Sequence, residues 1–293
     1  MGALNMSRTP AILSAMEIVD RTESLARPPK PALRPFVDLL WAADGAGVSY
    51  AASGRELVLP TGAVHIVFRL CDRPLRVFKD RGDAVGDVVG CSVIGGARAR
   101  PYRRDVSVSG PSAGALLRPG AAELMIGAPA GAFSHVHTPL EDVWGAGVVA
   151  EIREKLSEAR SAAHRLDVFE AALAARLPRV RGINPLVAHA LARFGASCRV
   201  GDVVRECGYS HRHFTTVFSE TVGLKPKTYC RLLRFGRVLD RLTVEPGIGW
   251  ADLAAAEGYA DQPHLNREFL EFAGLSPGCY RQRAPIFPRH VPV

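Results

Sequence analysis

One pattern is written twice between Val200 and Arg283, and few folds accommodate such a duplication. The first copy runs Val200-Gly-Asp-Val-Val-Arg-Glu-Cys-Gly-Tyr-Ser210, His211-Arg-His-Phe-Thr-Thr-Val-Phe218 and Gly223-Leu-Lys-Pro-Lys-Thr-Tyr229. The second runs from Trp250 through Gly258-Tyr259, resumes at Gln262 after one extra residue, and closes with Gly274-Leu-Ser-Pro-Gly-Cys-Tyr280. Asp202 matches Asp252, Tyr209 matches Tyr259, His213 matches His264, and Phe218 matches Phe269.

Each copy reads as two helices around a tight turn. Val200, Val203, Val204 and Cys207 have the spacing of one buried helical face. Gly208 ends that helix, Ser210 is positioned as the next N-cap, and Phe214, Val217, Phe218 and Val222 form a second apolar face. Two helices joined by a short glycine-containing turn make a helix-turn-helix. His211, Arg212, Thr215 and Thr216 are left pointing outward, with lengths and polar groups suited to base edges in a major groove. In the second copy the equivalent positions are Gln262, Pro263, Asn266 and Arg267, behind an expected N-cap at Asp261. A long helix from Pro226 to about Thr243 joins the units, and its Lys227, Arg231, Arg234 and Arg237 are expected on DNA phosphates.

This region resembles the DNA-binding domain of the AraC/XylS family of transcription regulators. The paired Gly-Tyr turns, the Phe in each second helix, and the Gly223-Leu-Lys-Pro and Gly274-Leu-Ser-Pro runs carry the resemblance. It implies an all-helical domain, double-stranded DNA as partner, and contact with RNA polymerase where the regulator activates. Pro263 departs from the polar reader expected at its position. Charge departs too: Arg199 to Arg241 holds nine Lys or Arg against four acids, whereas Glu245 to Phe272 holds one Arg against six acids. The first unit is therefore expected to supply most of the DNA affinity.

Residues from about Arg55 to Met125 have β texture, with short β-branched runs such as Val64-His-Ile-Val-Phe68 between Gly and Pro turns. Two helices follow, around Val149-Ile152-Leu156 and Leu166-Phe169-Leu173. Leu59-Pro-Thr-Gly-Ala-Val-His and Leu117-Arg-Pro-Gly look like the cupin-like sensory domain attached to some of these regulators, which implies a domain for a small-molecule effector or for interactions and names no ligand; the apolar faces of the two helices suit either docking on the β part or a homodimer seam. The expected fold is α+β in two domains: a small barrel or sandwich with closing helices, then an all-α domain with two helix-turn-helix units on a connecting helix. Boundaries are expected at 1–30 (loosely ordered), 31–178, a linker at 179–183, 184–284, and a tail at 285–293.

Competing chemistry is weakly marked. His135, His137 and Glu141 have a spacing compatible with a metal, which keeps a metal-dependent cupin-type enzyme or metal sensor as the alternative reading, but structural histidines are favoured and no cofactor is expected. His65 is read as an outward or satisfied side chain. Gly110-Pro-Ser-Ala-Gly114 fits the letters of a nucleophile elbow but is read as a loop. The six cysteines form no CxxC pair and read as reduced thiols of a cytoplasmic protein. No apolar run reaches the roughly 18 residues of a membrane span. A formal net charge of +8 suits a polyanionic partner.

Overall fold

The computed structural model describes residues 24–45, 54–177, 182–285 and 287–293. Most of the expected linker, 178–181, lies outside the described residues, as does the N-terminal stretch 1–23.

The β half is a two-sheet sandwich. Strands β1 (Ser24–Arg27), β2 (Val37–Ala43), β3 (Arg55–Val58), β4 (His65–Arg69), β5 (Leu75–Phe78), β6 (Asp87–Gly90), β7 (Ser92–Gly95), β8 (Tyr102–Asp105), β9 (Ser112–Leu117) and β10 (His137–Pro139) belong to the N-terminal part, and β11 (His290–Pro292) comes from the far end of the chain. One sheet has the order β1-β2-β9-β4-β7-β10, the other β11-β3-β8-β5-β6, and all pairings are antiparallel. Alternation decides the faces. In β4, Ile66 and Phe68 are fully buried while His65, Val67 and Arg69 are half-buried.

Short helices α1 (Ala122–Ile126) and α2 (Glu141–Trp144) and a 3-10 turn (Ala130–Phe133) lead to α3 (Ala146–Glu158) and α4 (Ala162–Ala174). Ser161 caps α4 by accepting from the His164 amide. The ring of Phe169 on α4 meets Phe68 edge-on at 5.6 Å, so the two closing helices cover the apolar face of the first sheet. Burying one such Phe contributes about 1.5–3 kcal/mol.

Then come α5 (Pro185–Gly195), α6 (Val200–Cys207), α7 (His211–Val222), α8 (Pro226–Val244), α9 (Trp250–Ala256), α10 (Gln262–Ala273) and α11 (Pro277–Arg283). The caps follow the sequence. Asn184, Ser210, Asp261 and Ser276 each accept a hydrogen bond from a first-turn amide. Gly208 and Gly258 take positive φ at the two turns, 70° and 74°, a conformation that a side chain disfavours. The apolar faces close on Phe194, Phe214 and Phe218 in the first unit and on Phe235, Phe269 and Phe272 in the second.

Three expectations need correction. Residues 24–27 are not loose: β1 pairs along β2, and Arg27 bonds Asp167 and Glu170 of α4 at 2.9 and 2.8 Å. Ser112 to Gly114 open β9 and are no loop, because Ala113 and Ala115 fill the sheet's buried face. The C-terminal residues are no free tail: β11 crosses back and adds an edge strand to β3 of the N-terminal part.

Candidate nucleic-acid interface

The second helix of each unit, α7 and α10, presents its predicted readers to solvent. His211, Arg212, Thr216, Gln262, Pro263, Asn266 and Arg267 are exposed, and Thr215 is half-buried beside His211 at 3.4 Å. Arg212 and Arg267 make no ion pair among the described residues, which leaves their guanidinium donors available to a ligand. Pro263 sits in the first turn of α10, where its missing N–H removes no helical bond.

The helices are held at a fixed separation by α8, and here the structure reassigns charged residues. Glu268, on the inner face of α10 and 4% exposed, accepts from Arg231 Nε at 2.6 Å and from Arg234 Nη2 at 2.8 Å. Arg231 also reaches Glu271, Arg234 donates to the Gly258 carbonyl at 3.2 Å, and Arg237 pairs with Glu257 at 3.2 Å. The hydrogen bonds Arg231 donates to Glu271 and Glu268 hold its guanidinium well above its ordinary pKa. Arg231, Arg234 and Arg237, expected on phosphates, are therefore internal clamps between α8 and the second unit. Of that set Lys227 is exposed. The same pairs explain the acid excess of the second unit: Glu257, Glu268 and Glu271 face cations of α8 instead of a DNA surface.

The first unit has an equivalent but smaller tie. Glu206 of α6 accepts from Arg193 Nε and Nη2 at 2.8 and 2.6 Å and lies 3.2 Å from His189, which fixes α5 against α6. Its carboxyl is held below the ordinary glutamate range, chiefly by the Arg193 hydrogen bonds.

One surface residue escaped the sequence reading. Tyr209 and Tyr259 are equivalent in the repeat, and each ring lies near its matched histidine, at 5.0 Å from His213 and 5.2 Å from His264. Yet Tyr259 is 6% exposed beneath the Arg234 guanidinium, 4.3 Å from its ring centre, while Tyr209 is 51% exposed. The repeat does not separate the two tyrosines; the arginine on α8 does. Tyr209 and exposed His213 thus extend the outward surface of the first unit.

A second feature lies between the two sheets. His65 on β4 and His137 on β10 are both in register with Gly95 of β7, and a Cβ at Gly95 would lie 3.4 and 3.7 Å from the two rings. The Tyr102 ring from the opposite sheet meets His137 at 4.5 Å. Arg98, 9% exposed, donates to His137 Nδ1 at 3.2 Å and to the Val136 carbonyl at 3.1 Å, and its guanidinium lies 4.3 Å from the Tyr102 ring centre. Arg104 donates to Glu56 at 2.7 Å and comes within 3.4 Å of His290. His65 therefore faces this polar cleft, 3.1 Å from Thr61 Oγ1, and does not point outward. His137 lies in a strand, contrary to its expected place beyond the β region. Among the described residues no group of three or more His, Cys, Asp and Glu is arranged for a metal, and Arg98 beside His137 disfavours a cation there.

Burial, reinforced by Arg98, His290, Arg289 and Arg104, pushes His65 down to about 3. Burial and Arg98 push His137 to about 3. Burial opposes ionisation of Glu56, but Arg104 and His290 more than offset it and hold the carboxyl at about 2. A histidine whose folded pKa lies below its unfolded value stabilises fully above the unfolded pKa and loses that contribution as pH falls. Stability is thus expected to decline from about pH 6.5 toward 3, at up to about 1.4 kcal/mol per pH unit for each imidazole. Glu56 adds a loss below its unfolded value near 4.5. Urea unfolding at pH 7, 5.5 and 4.5 measures this, and the His65→Leu, His137→Leu double variant is expected to flatten the profile between pH 6.5 and 5.

Comparison with known proteins agrees with the geometry. Residues 203–283 match the family described as helix-turn-helix domain, and residues 26–139 match a domain of unknown function (DUF6597). The HTH-type transcriptional regulator Rv1931c of Mycobacterium tuberculosis is 32% identical over 90 residues. That match covers 31% of this chain and 34% of the regulator, so the chain spans about a third of its relative's length. Structures of ToxT from Vibrio cholerae cover 89% of this chain and 98% of their own at 7% identity and a TM-score of 0.43. ToxT bound to (E)-4-(8-methylnaphthalen-1-yl)but-3-enoic acid matches with a TM-score of 0.42 at 9% identity. Residues 203–283 are thus similar to a helix-turn-helix domain, and they follow a β-rich N-terminal part in a chain of α+β build.

Proposed function

We propose that this chain is a transcription regulator that reads duplex DNA through α7 and α10 in successive major grooves, under the influence of a small molecule held by the N-terminal part. The observation that supports it best is the pair of exposed, unpaired arginines, Arg212 and Arg267, at matched faces of two helices fixed on one rigid connector. A single solvated helix pair needs no such clamp. Contact with RNA polymerase and homodimer formation are part of the same reading, and so are the expected domain boundaries near 31, 184 and 284. No helix among the described residues is long and apolar enough to cross a membrane.

The polar cluster over Gly95, between the two sheets, is where the effector is expected. Its buried cation Arg98 has no carboxylate partner among the described residues, and burial lowers its pKa. An unpaired buried charge is costly, which favours an anionic group on the ligand.

Selection of sites from a random duplex pool by the full chain tests the reading. Enriched sequences are expected to share two blocks about 10 base pairs apart. Affinity for them is expected to fall steeply with salt, with a log–log slope of about −0.9 for each phosphate neutralised. A pool that shows no enrichment counts against the proposal.

A further inference from the structure

Residues 287–293 tie the helical part back to the β part. Beyond α11, Ala284 turns the chain at φ 40°, and β11 pairs with β3 through His290–Val58, Val291–Leu57 and Pro292–Glu56. Backbone bonds run from Leu59 N to the Arg289 carbonyl at 2.8 Å and from Val293 N to the Arg55 carbonyl at 3.3 Å, and Val291 is fully buried. On the side of the second helix-turn-helix unit, Tyr280 Oη donates to the Pro288 carbonyl at 2.8 Å, and Arg283 donates to the Pro292 carbonyl. On the side of the cleft, His290 Nδ1 lies 3.0 Å from Glu56, which in turn holds Arg104.

Arg289 adds a third attachment. Its Nη1 donates to the Pro60 carbonyl at 2.8 Å, and its Nη2 passes over Gly236 in the middle of α8, where a Cβ would come within 3.1 Å. Glycine inside a helix costs about 1 kcal/mol relative to alanine. Here it opens a slot through which the strand grips the connector. The first unit is docked elsewhere, through Ser134 Oγ donating to the Gly223 carbonyl at 2.6 Å and the packing of Gly131 on Glu220.

We infer that residues 287–293 are a strap coupling the ionic cluster of the inter-sheet cleft to the second helix-turn-helix unit, separately from the first. The inference rests on the reading of the N-terminal part as the sensing half. A three-residue edge strand held at both ends by side chains is weak enough to detach locally while both cores stay folded. Coupling of this kind is reciprocal: loosening either end must loosen the other.

Hydrogen exchange of the full chain tests it without DNA or effector, so its failure is distinct from failure of the DNA-reading proposal. Arg104→Met removes the cluster's hold on Glu56 and His290. Exchange is expected to rise about tenfold, the factor equivalent to one charge-assisted hydrogen bond, in 287–293 and in α11, with α6 and α7 at the wild-type rate. Val291→Asp detaches the strand from its own side and is expected to raise exchange in β3 and β8. The inference is overturned if Arg104→Met changes only β3 and β8, or if Val291→Asp frees 287–293 and leaves β3 and β8 unchanged. An equal rise in α7 and α11 would also overturn it, because the strap touches the second unit and the connector α8 but neither α6 nor α7.

Discussion

Replacing Glu268 by alanine is expected to lower the unfolding free energy by about 3–5 kcal/mol, the usual consequence of removing one partner from a buried ionic group. One oxygen of this carboxylate receives both Arg231 and Arg234, whose side chains are 27% and 22% exposed. Alanine leaves both guanidiniums facing a cavity with one carboxylate, Glu271, at the margin. Glu268→Gln keeps an acceptor and the volume but not the charge, so its loss is expected to be smaller. Urea denaturation at neutral pH reads both. Because α10 is held to α8 through this residue, Glu268→Ala is also expected to weaken DNA binding, although its side chain faces away from the reading surface. A loss below about 1 kcal/mol, the range of exposed pairs, would show that the clamp is solvated.

Arg212→Ala is expected to cost about 1–3 kcal/mol of affinity for an enriched duplex, roughly ten- to hundredfold. Arg267→Ala is expected to cost less. In the sequence this asymmetry rests on Pro263 and on net charge, and the structure removes the second ground. Three of the second unit's acids are paired with arginines of α8, which offsets their charge. What distinguishes the units is the neighbourhood of each arginine. Around Arg212 the exposed residues are Tyr209, His211, His213 and Thr216, all able to hydrogen-bond. Around Arg267 exposed Gln262 and Asn266 can hydrogen-bond, but one turn away in each direction lie Pro263 and exposed Leu270, which offer no side-chain donor. Titrations of both variants at one salt concentration decide it, and a larger loss for Arg267→Ala would reverse the assignment.

What the sequence made legible was local or repeated. Ser210 and Asp261 cap because a short polar side chain precedes an apolar period, and Gly208 and Gly258 turn because nothing else tolerates that backbone so well. The long connector was equally plain from Pro226 onward. Features set by pairing across the fold were not legible. Arg231 and Arg234 look like any cationic helix face until Glu268, more than thirty residues later, is placed beneath them. Tyr209 and Tyr259 share a motif but not an environment. His-Val-Pro at 290–292 is too short and too proline-rich to announce a strand, and only β3 gives it a partner. His65 and His137 are separated by most of the sandwich and meet over a glycine that carries no signal of its own.

The central claim is that two unequal recognition helices read DNA at a separation fixed by α8. Hydroxyl-radical footprinting of the full chain on an enriched duplex tests it most directly. Two protected windows are expected on one face of the duplex, with centres about 10 base pairs apart. Arg212→Ala should erase one window and Arg267→Ala should weaken the other. A single window, or two windows that neither substitution alters, would contradict the account.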